Sequence, residues 1–192
     1  MKIAILSDIH ENYHNLQLCI NDMRDQKIEQ VLFLGDFNNA GVARALATTG
    51  IPTFAVRGNN DGDLMAIYRQ SVKPDSSLTF HPKTYSEFSC AGNRYFLSHH
   101  EDLADIAASS GKFKGVFFGH THRKSIEEIN GCLVVNPGEI SAHKYGVSTY
   151  AVLDSVKNSC ALRVLSQSVT VRTEPVIQMY KELGFDSHFG IK

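Results

Sequence analysis

Side chains able to hold a metal ion stand just after five short apolar runs of this 192-residue chain. Ile3 to Leu6 leads into Asp8 and His10, and Val31 to Leu34 into Gly35-Asp36. Thr53 to Val56 leads into Gly58-Asn59-Asn60-Asp61, Arg94 to Leu97 into His99, and Val116 to Phe118 into Gly119-His120-Thr121-His122. Carboxylate, imidazole and amide donors without a thiolate suit Mn, Fe, Zn or a similar borderline ion. They argue against a structural cysteine-zinc site or a pure calcium site. Asp8, His10, Asp36, Asn59, His99, His120 and His122 exceed what one four- to six-coordinate ion accepts, so two ions sharing one carboxylate are expected. Two ions about 3.5–4 Å apart clamp a phosphoryl group and draw the pKa of bound water from roughly 15.7 toward about 7. The expected chemistry is hydrolysis.

Singly, these residues are ordinary. A Gly-Asp after a strand is usually a turn, Asn59 suggests another, and Asp8 fits a helix N-cap. His10 or His14 alone is more often a partly exposed ring than a ligand. The joint pattern is what independent loop residues would not produce. In open α/β sheets, ligands bind in the crevice beyond the carboxyl ends of the strands, so groups scattered in sequence can converge there. Asp8 and His10, or His120 and His122, share a face at i and i+2 if the chain stays extended.

The elements that must position these groups alternate in the first half of the chain. Leu16, Cys19, Ile20 and Met23 recur at helical spacing, Ala40 to Ala47 favours a helix before the Gly50-Ile51-Pro52 break, and Leu64 to Tyr68 suggests a third. The character then changes. Tyr85 to Cys90 and Arg94 to Leu97 flank Ala91-Gly92-Asn93, and Ile126 to Ile129 and Cys132 to Val135 flank Asn130-Gly131, both as hairpins would. Thr149 to Leu153 and Ala161 to Leu165 add strands. Parallel βαβ units giving way to hairpins predict an α/β fold, a four-layer αββα sandwich with two mixed β-sheets. The domain is expected over 1–172, with 173–192 as an appendage of it in which Pro175 opens a short helical pattern.

Composition narrows the partners. Lys and Arg number 19 against 20 Asp and Glu, for a net charge of −1, and no block of like charge appears. Duplex nucleic acid or an anionic membrane would demand such a block. No apolar stretch approaches the roughly 20 residues that span a bilayer. Cys19, Cys90, Cys132 and Cys160 form no CxxC pair, and the N-terminus enters an apolar strand rather than a cleavable signal. A reducing, cytoplasmic setting and a small phosphate-ester substrate are expected, with a homo-oligomer left open.

Asp8-Ile9-His10, Gly35-Asp36, Gly58-Asn59-Asn60-Asp61, His99 and Gly119-His120-Thr121-His122, followed by Asn136-Pro137-Gly138, resemble the ordered signature of calcineurin-like metallophosphoesterases. The compact size is similar to their small bacterial and archaeal phosphodiesterase branch. The resemblance runs from about Met1 to Leu165. It implies one metal on Asp8, His10, Asp36 and His122 and a second on Asp36, Asn59, His99 and His120, with Asp36 as the bridge. Asp61 then orients the network behind. The implied cofactors are two divalent transition-metal ions, Mn favoured over Fe, Zn, Ni or Co.

Three positions depart from the branch pattern: Glu11 and His100 stand where glycine is usual, and Glu139 where serine is. Asn60 replaces the histidine that assists the leaving group in larger phosphatases of the superfamily, which favours a diester over an alkyl monoester. His100 is expected to supply part of that missing protonation, so Asp36, Asn59, Asp61 and His100 are the candidate catalytic residues. Two other functions come with the resemblance. One is a protein-interaction scaffold like the retromer subunit built on this fold, although such scaffolds typically lose part of the metal shell. The other is a nuclease, which the near-neutral charge disfavours.

Overall fold

Ala4 and Leu6 on β1 (Lys2–Leu6) face one way, Ile3 and Ile5 the other, and all four are completely buried. A strand buried on both faces lies inside a stack of layers. β1 pairs in parallel with β2 (Gln30–Phe33), β2 with β3 (Thr53–Val56) and β3 with β4 (Leu78–His81). On its other side β1 runs antiparallel to β10 (Thr149–Asp154), which pairs with β11 (Ser159–Val164). The resulting six-stranded sheet has the order β11-β10-β1-β2-β3-β4. A five-stranded sheet, β5-β6-β7-β9-β8, is built from β5 (Tyr85–Cys90), β6 (Asn93–Ser98), β7 (Gly115–Phe118), β8 (Ser125–Ile129) and β9 (Cys132–Asn136). Both sheets are mixed, as expected.

Three apolar clusters define the layers. Leu16, Cys19, Ile20 and Met23 of α1 (Tyr13–Asp25), with Val42 and Leu46 of α2 (Ala40–Ala47) and Ile67 of α3 (Leu64–Ser71), cover the outer face of the six-stranded sheet. Ile3, Ile5, Leu32 and Val56 meet Tyr95, Leu97, Phe117 and Val135 between the sheets. Ala104, Ala107 and Ala108 of α4 (Glu101–Ser109) pack on Val116, Phe118 and Val134 outside the second sheet. The order helix, sheet, sheet, helix is the expected αββα sandwich. β4 and α4 are additions to the sequence reading. α4 buries only alanines, so it lacks the large apolar stripe by which a helix is recognised.

Both hairpins turn in two residues: Ala91 and Gly92 have φ of 50° and 76°, Asn130 and Gly131 of 52° and 79°. Positive φ at both central positions is the tight turn whose twist matches the strands. Asn93, expected in the first turn, is instead paired with Cys90 in the ladder. The computed structural model describes residues 1–170 and, beyond them, Gln178, Met179, Lys181 and Glu182. The expected boundary at 172/173 and the helix start at Pro175 lie outside the described residues. The four cysteines are free, and no described helix is long and apolar enough to cross a membrane.

Candidate metal centre

β1, β2 and β3 run parallel, as do β6 and β7, and the loops leaving their carboxyl ends meet at one seam between the sheets. The backbone of Asp8 donates to Gly35 O at 3.1 Å, that of His10 to Asp36 O at 3.3 Å, and that of His120 to Asp8 Oδ2 at 3.0 Å. Close approach depends on glycine. A Cβ on Gly58 would stand 2.1 Å from Asp36 Oδ1, and one on Gly119 would stand 1.9 Å from Ser7 Oγ and 2.9 Å from Asp8 Oδ2.

The extended chain expected for the i, i+2 pairs is not found. Asp8, His10, His120 and His122 have φ of 55°, 44°, 63° and 63°, and Asp36 has 63°. The left-handed region is costly for side-chain-bearing residues. Here a kink at each of these five residues, rather than strand alternation, aims the side chain into the seam.

All seven candidate ligands are brought together. In one group, His10 Nε2 lies 3.2 Å from His122 Nε2, 3.6 Å from Asp8 Oδ1 and 3.4 Å from Asp36 Oδ2, and His122 Nε2 lies 3.3 Å from Asp8 Oδ1. In the other, His99 Nε2 is 3.5 Å from Asp36 Oδ1, and both His99 Nε2 and His120 Nδ1 are 2.8 Å from Asn59 Oδ1. Asp36 faces both groups, one oxygen to each.

The donor chemistry fits cations. Asp8 Oδ1 is buried without a hydrogen-bond partner. His122 Nδ1 is 2.6 Å from the Glu139 carboxylate and His99 Nδ1 is 2.8 Å from the Leu34 carbonyl. Those oxygens only accept, so each Nδ1 carries the proton and each Nε2 turns a lone pair into the site, the arrangement found behind metal-bound histidines. Separations of 3.2–3.6 Å in the first group are those of donors each roughly 2.0–2.2 Å from a shared ion.

Charges in the seam act in the same sense. Burial by itself would raise the Asp8 carboxyl, yet His10, His122 and His99 hold it below its ordinary value. Burial opposes protonation of His10, but Asp8, Asp36 and Glu139 raise its pKa. Burial, seconded by His99, lowers the pKa of both His100 and His120.

Supporting residues occupy the second rank. Asp61 accepts from the backbone of Asn38 at 2.9 Å and of Gly58 at 2.6 Å, tying the loops after β2 and β3 together as a partner behind the donors. Asn60 donates to Asp36 from its backbone and its side-chain amide, both at 2.8 Å. Its amide nitrogen thus points at the shared carboxylate. Asp8 caps no helix; Asn12 caps α1. Glu11 meets the side-chain amide of Asn39, which caps α2. His100 opens α4 with its ring edge-on to His99 at 5.0 Å and His120 at 4.8 Å, half-buried at the rim. Glu139, like Glu11, is a residue whose role the sequence left unread. Its signal in the sequence is its place after Asn136-Pro137-Gly138, where serine is usual.

A family model described as a calcineurin-like phosphoesterase superfamily domain matches residues 1–158. A phosphodiesterase of Methanocaldococcus jannaschii is 29% identical over 161 residues, 82% of this chain and 95% of that one. A solved structure described as a novel archaeal phosphodiesterase is similar with a TM-score of 0.79 at 29% identity, covering 86% of this chain and 100% of that chain. Vacuolar protein sorting 29 of Cryptosporidium parvum has a TM-score of 0.61 at 17% identity, covering 86% and 98%, a likeness of fold alone.

Proposed function

The chain belongs to the calcineurin-like phosphoesterase superfamily, and on that basis we propose that it is a two-metal hydrolase of phosphodiesters. The observation that carries this reading is the complete donor set, in which Glu139 and Leu34 fix the tautomers of His122 and His99. Asp8, His10, Asp36 and His122 would hold one divalent ion, and Asp36, Asn59, His99 and His120 the other, with Mn favoured over Fe, Zn, Ni or Co. Bound there, such ions activate water and neutralise developing phosphoryl charge.

The chain's own residues set the rest. Asn60 steadies the shared Asp36 carboxylate through two hydrogen bonds. Asp61 holds the Gly58-Asn59-Asn60 turn by its backbone. With the Asn60 amide so engaged, no histidine protonates a leaving group from that side, and diesters are favoured over alkyl monoesters. His100, beside His120 at the rim, is assigned the remaining assistance to the leaving group. The filled donor set disfavours a protein-interaction scaffold, and the near-neutral charge disfavours a duplex nuclease. Four free cysteines support a reducing, cytoplasmic setting.

The test is a screen of metal-reconstituted protein against phosphomonoesters, diesters, cyclic nucleotides and pyrophosphates. Turnover of diesters well above the other classes is expected. Metal-loaded protein that hydrolyses none of them would favour the scaffold.

A further inference from the structure

The buried Glu139 carboxylate accepts five hydrogen bonds, and only one comes from a candidate metal ligand. Its Oε2 takes His122 Nδ1 and Ser141 Oγ, both at 2.6 Å, and the backbone N–H of His143 at 2.9 Å. Its Oε1 takes the backbone N–H groups of Lys144 and Tyr145, both at 2.8 Å. Three consecutive main-chain N–H groups thus converge on one anion, an arrangement that fixes a loop's backbone. Left-handed Ala142 and Gly146, at φ of 53° and 69°, bracket the turn. The side chains of 143–145 remain exposed. A braced backbone that carries exposed side chains is the build of a recognition loop.

Its position is as informative as its construction. The His143 ring stands edge-on to His10 at 6.2 Å. The backbone N–H of Lys144 is bonded to the same carboxylate that holds His122 Nδ1, and its side chain is exposed. The loop therefore lies against the group of His10 and His122 and carries an exposed ammonium beside it. An ester held between cations presents anionic oxygens outward, and an ammonium is a strong partner for them.

We propose that Glu139 is a positioning residue that locks His122 and the 142–146 loop into one unit, and that Lys144 on this loop contacts an anionic oxygen of the phosphate ester and sets specificity for it. The inference rests on the two-metal reading.

The full chain decides it, with Co²⁺ as the metal probe and inorganic phosphate as the ligand probe. Glu139→Gln is expected to weaken Co²⁺ binding about 10–100-fold, alter the visible Co²⁺ spectrum, and speed amide exchange at 143–145. Lys144→Ala should leave Co²⁺ affinity and thermal stability unchanged while weakening phosphate binding by roughly 5–10-fold. Unchanged Co²⁺ binding and exchange in a folded Glu139→Gln protein, or unchanged phosphate affinity in Lys144→Ala, would overturn the inference alone. If Glu139→Gln does not fold, the Lys144→Ala result decides. A wild-type protein that takes up no metal would overturn both this inference and the reading beneath it.

Discussion

His99 donates its Nδ1 proton to the carbonyl oxygen of Leu34 at 2.8 Å, so the last turn of one sheet orients a donor from the other. His99 is fully buried, and Leu34 follows β2 directly. The bond makes Nε2 the unprotonated nitrogen and aims it at Asp36 and Asn59. Orientation of this candidate ligand is therefore part of how the sheets dock.

The shared carboxylate supplies the sharpest mutational contrast. Asp61→Asn keeps the loop connection through one oxygen and should lower activity by roughly 10–100-fold, the usual effect of losing a partner behind a ligand. Asp36→Asn should lower it considerably more and reduce metal content below that of the wild type, because one oxygen of Asp36 faces each donor group. Elemental analysis beside turnover checks both. Equal small losses would contradict the assignment of Asp36.

His100 is tested by leaving group. An aryl ester needs little protonation and an alkyl ester needs much, and general acid assistance is commonly worth roughly 10²–10⁴-fold for a poor leaving group. His100→Gly should reduce turnover of the alkyl ester selectively at unchanged metal content. Parallel changes on both esters would remove the role.

Gly119 connects packing to the donors. In Gly119→Ala the new methyl would meet Ser7 Oγ at 1.9 Å and Asp8 Oδ2 at 2.9 Å, pushing the end of β7 away from Asp8. Metal affinity should fall by at least about 10-fold, comparable to losing an orienting partner, while far-ultraviolet circular dichroism is retained. Titration that finds native affinity would show that the seam yields without displacing Asp8.

A separate prediction concerns acid. Asp22 on α1 accepts from Arg163 Nε and Nη2 at 2.8 and 2.9 Å and from the Tyr150 hydroxyl at 2.6 Å. Arg163 foremost, then Tyr150, hold its carboxyl below the ordinary value against partial burial. A depressed folded pKa contributes stability above the unfolded value, about 3.9, and loses it as pH falls through the folded one. Asp22→Asn should cost about 1–2 kcal/mol at pH 7, a modest figure because Arg163 and Asp22 are both partly solvated. The melting-temperature gap from wild type should narrow below roughly pH 4. A gap that is the same at neutral and acid pH would show that ionisation of Asp22 contributes nothing.

Much of this was legible in the sequence because apolar runs announce strands and the candidate donors follow them directly. The layer order came from the change between helical spacing and hairpin turns. What stayed hidden was tertiary or conformational. Glu139 reaches His122 only because β8 and β9 fold back on each other between them. α4 buries alanines, which periodicity cannot distinguish from surface. The left-handed kinks at Asp8, His10, His120 and His122 fall on residues that do not advertise positive φ as glycine does. The convergence was thus foreseen, but by the wrong local geometry.

The two tight turns have a consequence of another kind. Ala91-Gly92 opens β6, whose far end carries His99, and Asn130-Gly131 opens β9, which runs parallel to the strand before His120. A strand of about six residues places such turns roughly 20 Å from the seam. Both are exposed, and around Gly92 and Gly131 the surroundings are open to 4 Å, so only the left-handed backbone of each glycine, and no neighbour, restricts the position. The molecule therefore has two poles with different tolerances. Exposed turn tips accept insertions best, so a grafted segment, an affinity tag or a fluorescent reporter at Gly92 or Gly131 can recruit a new partner or report on the protein without disturbing the chemistry at the other pole.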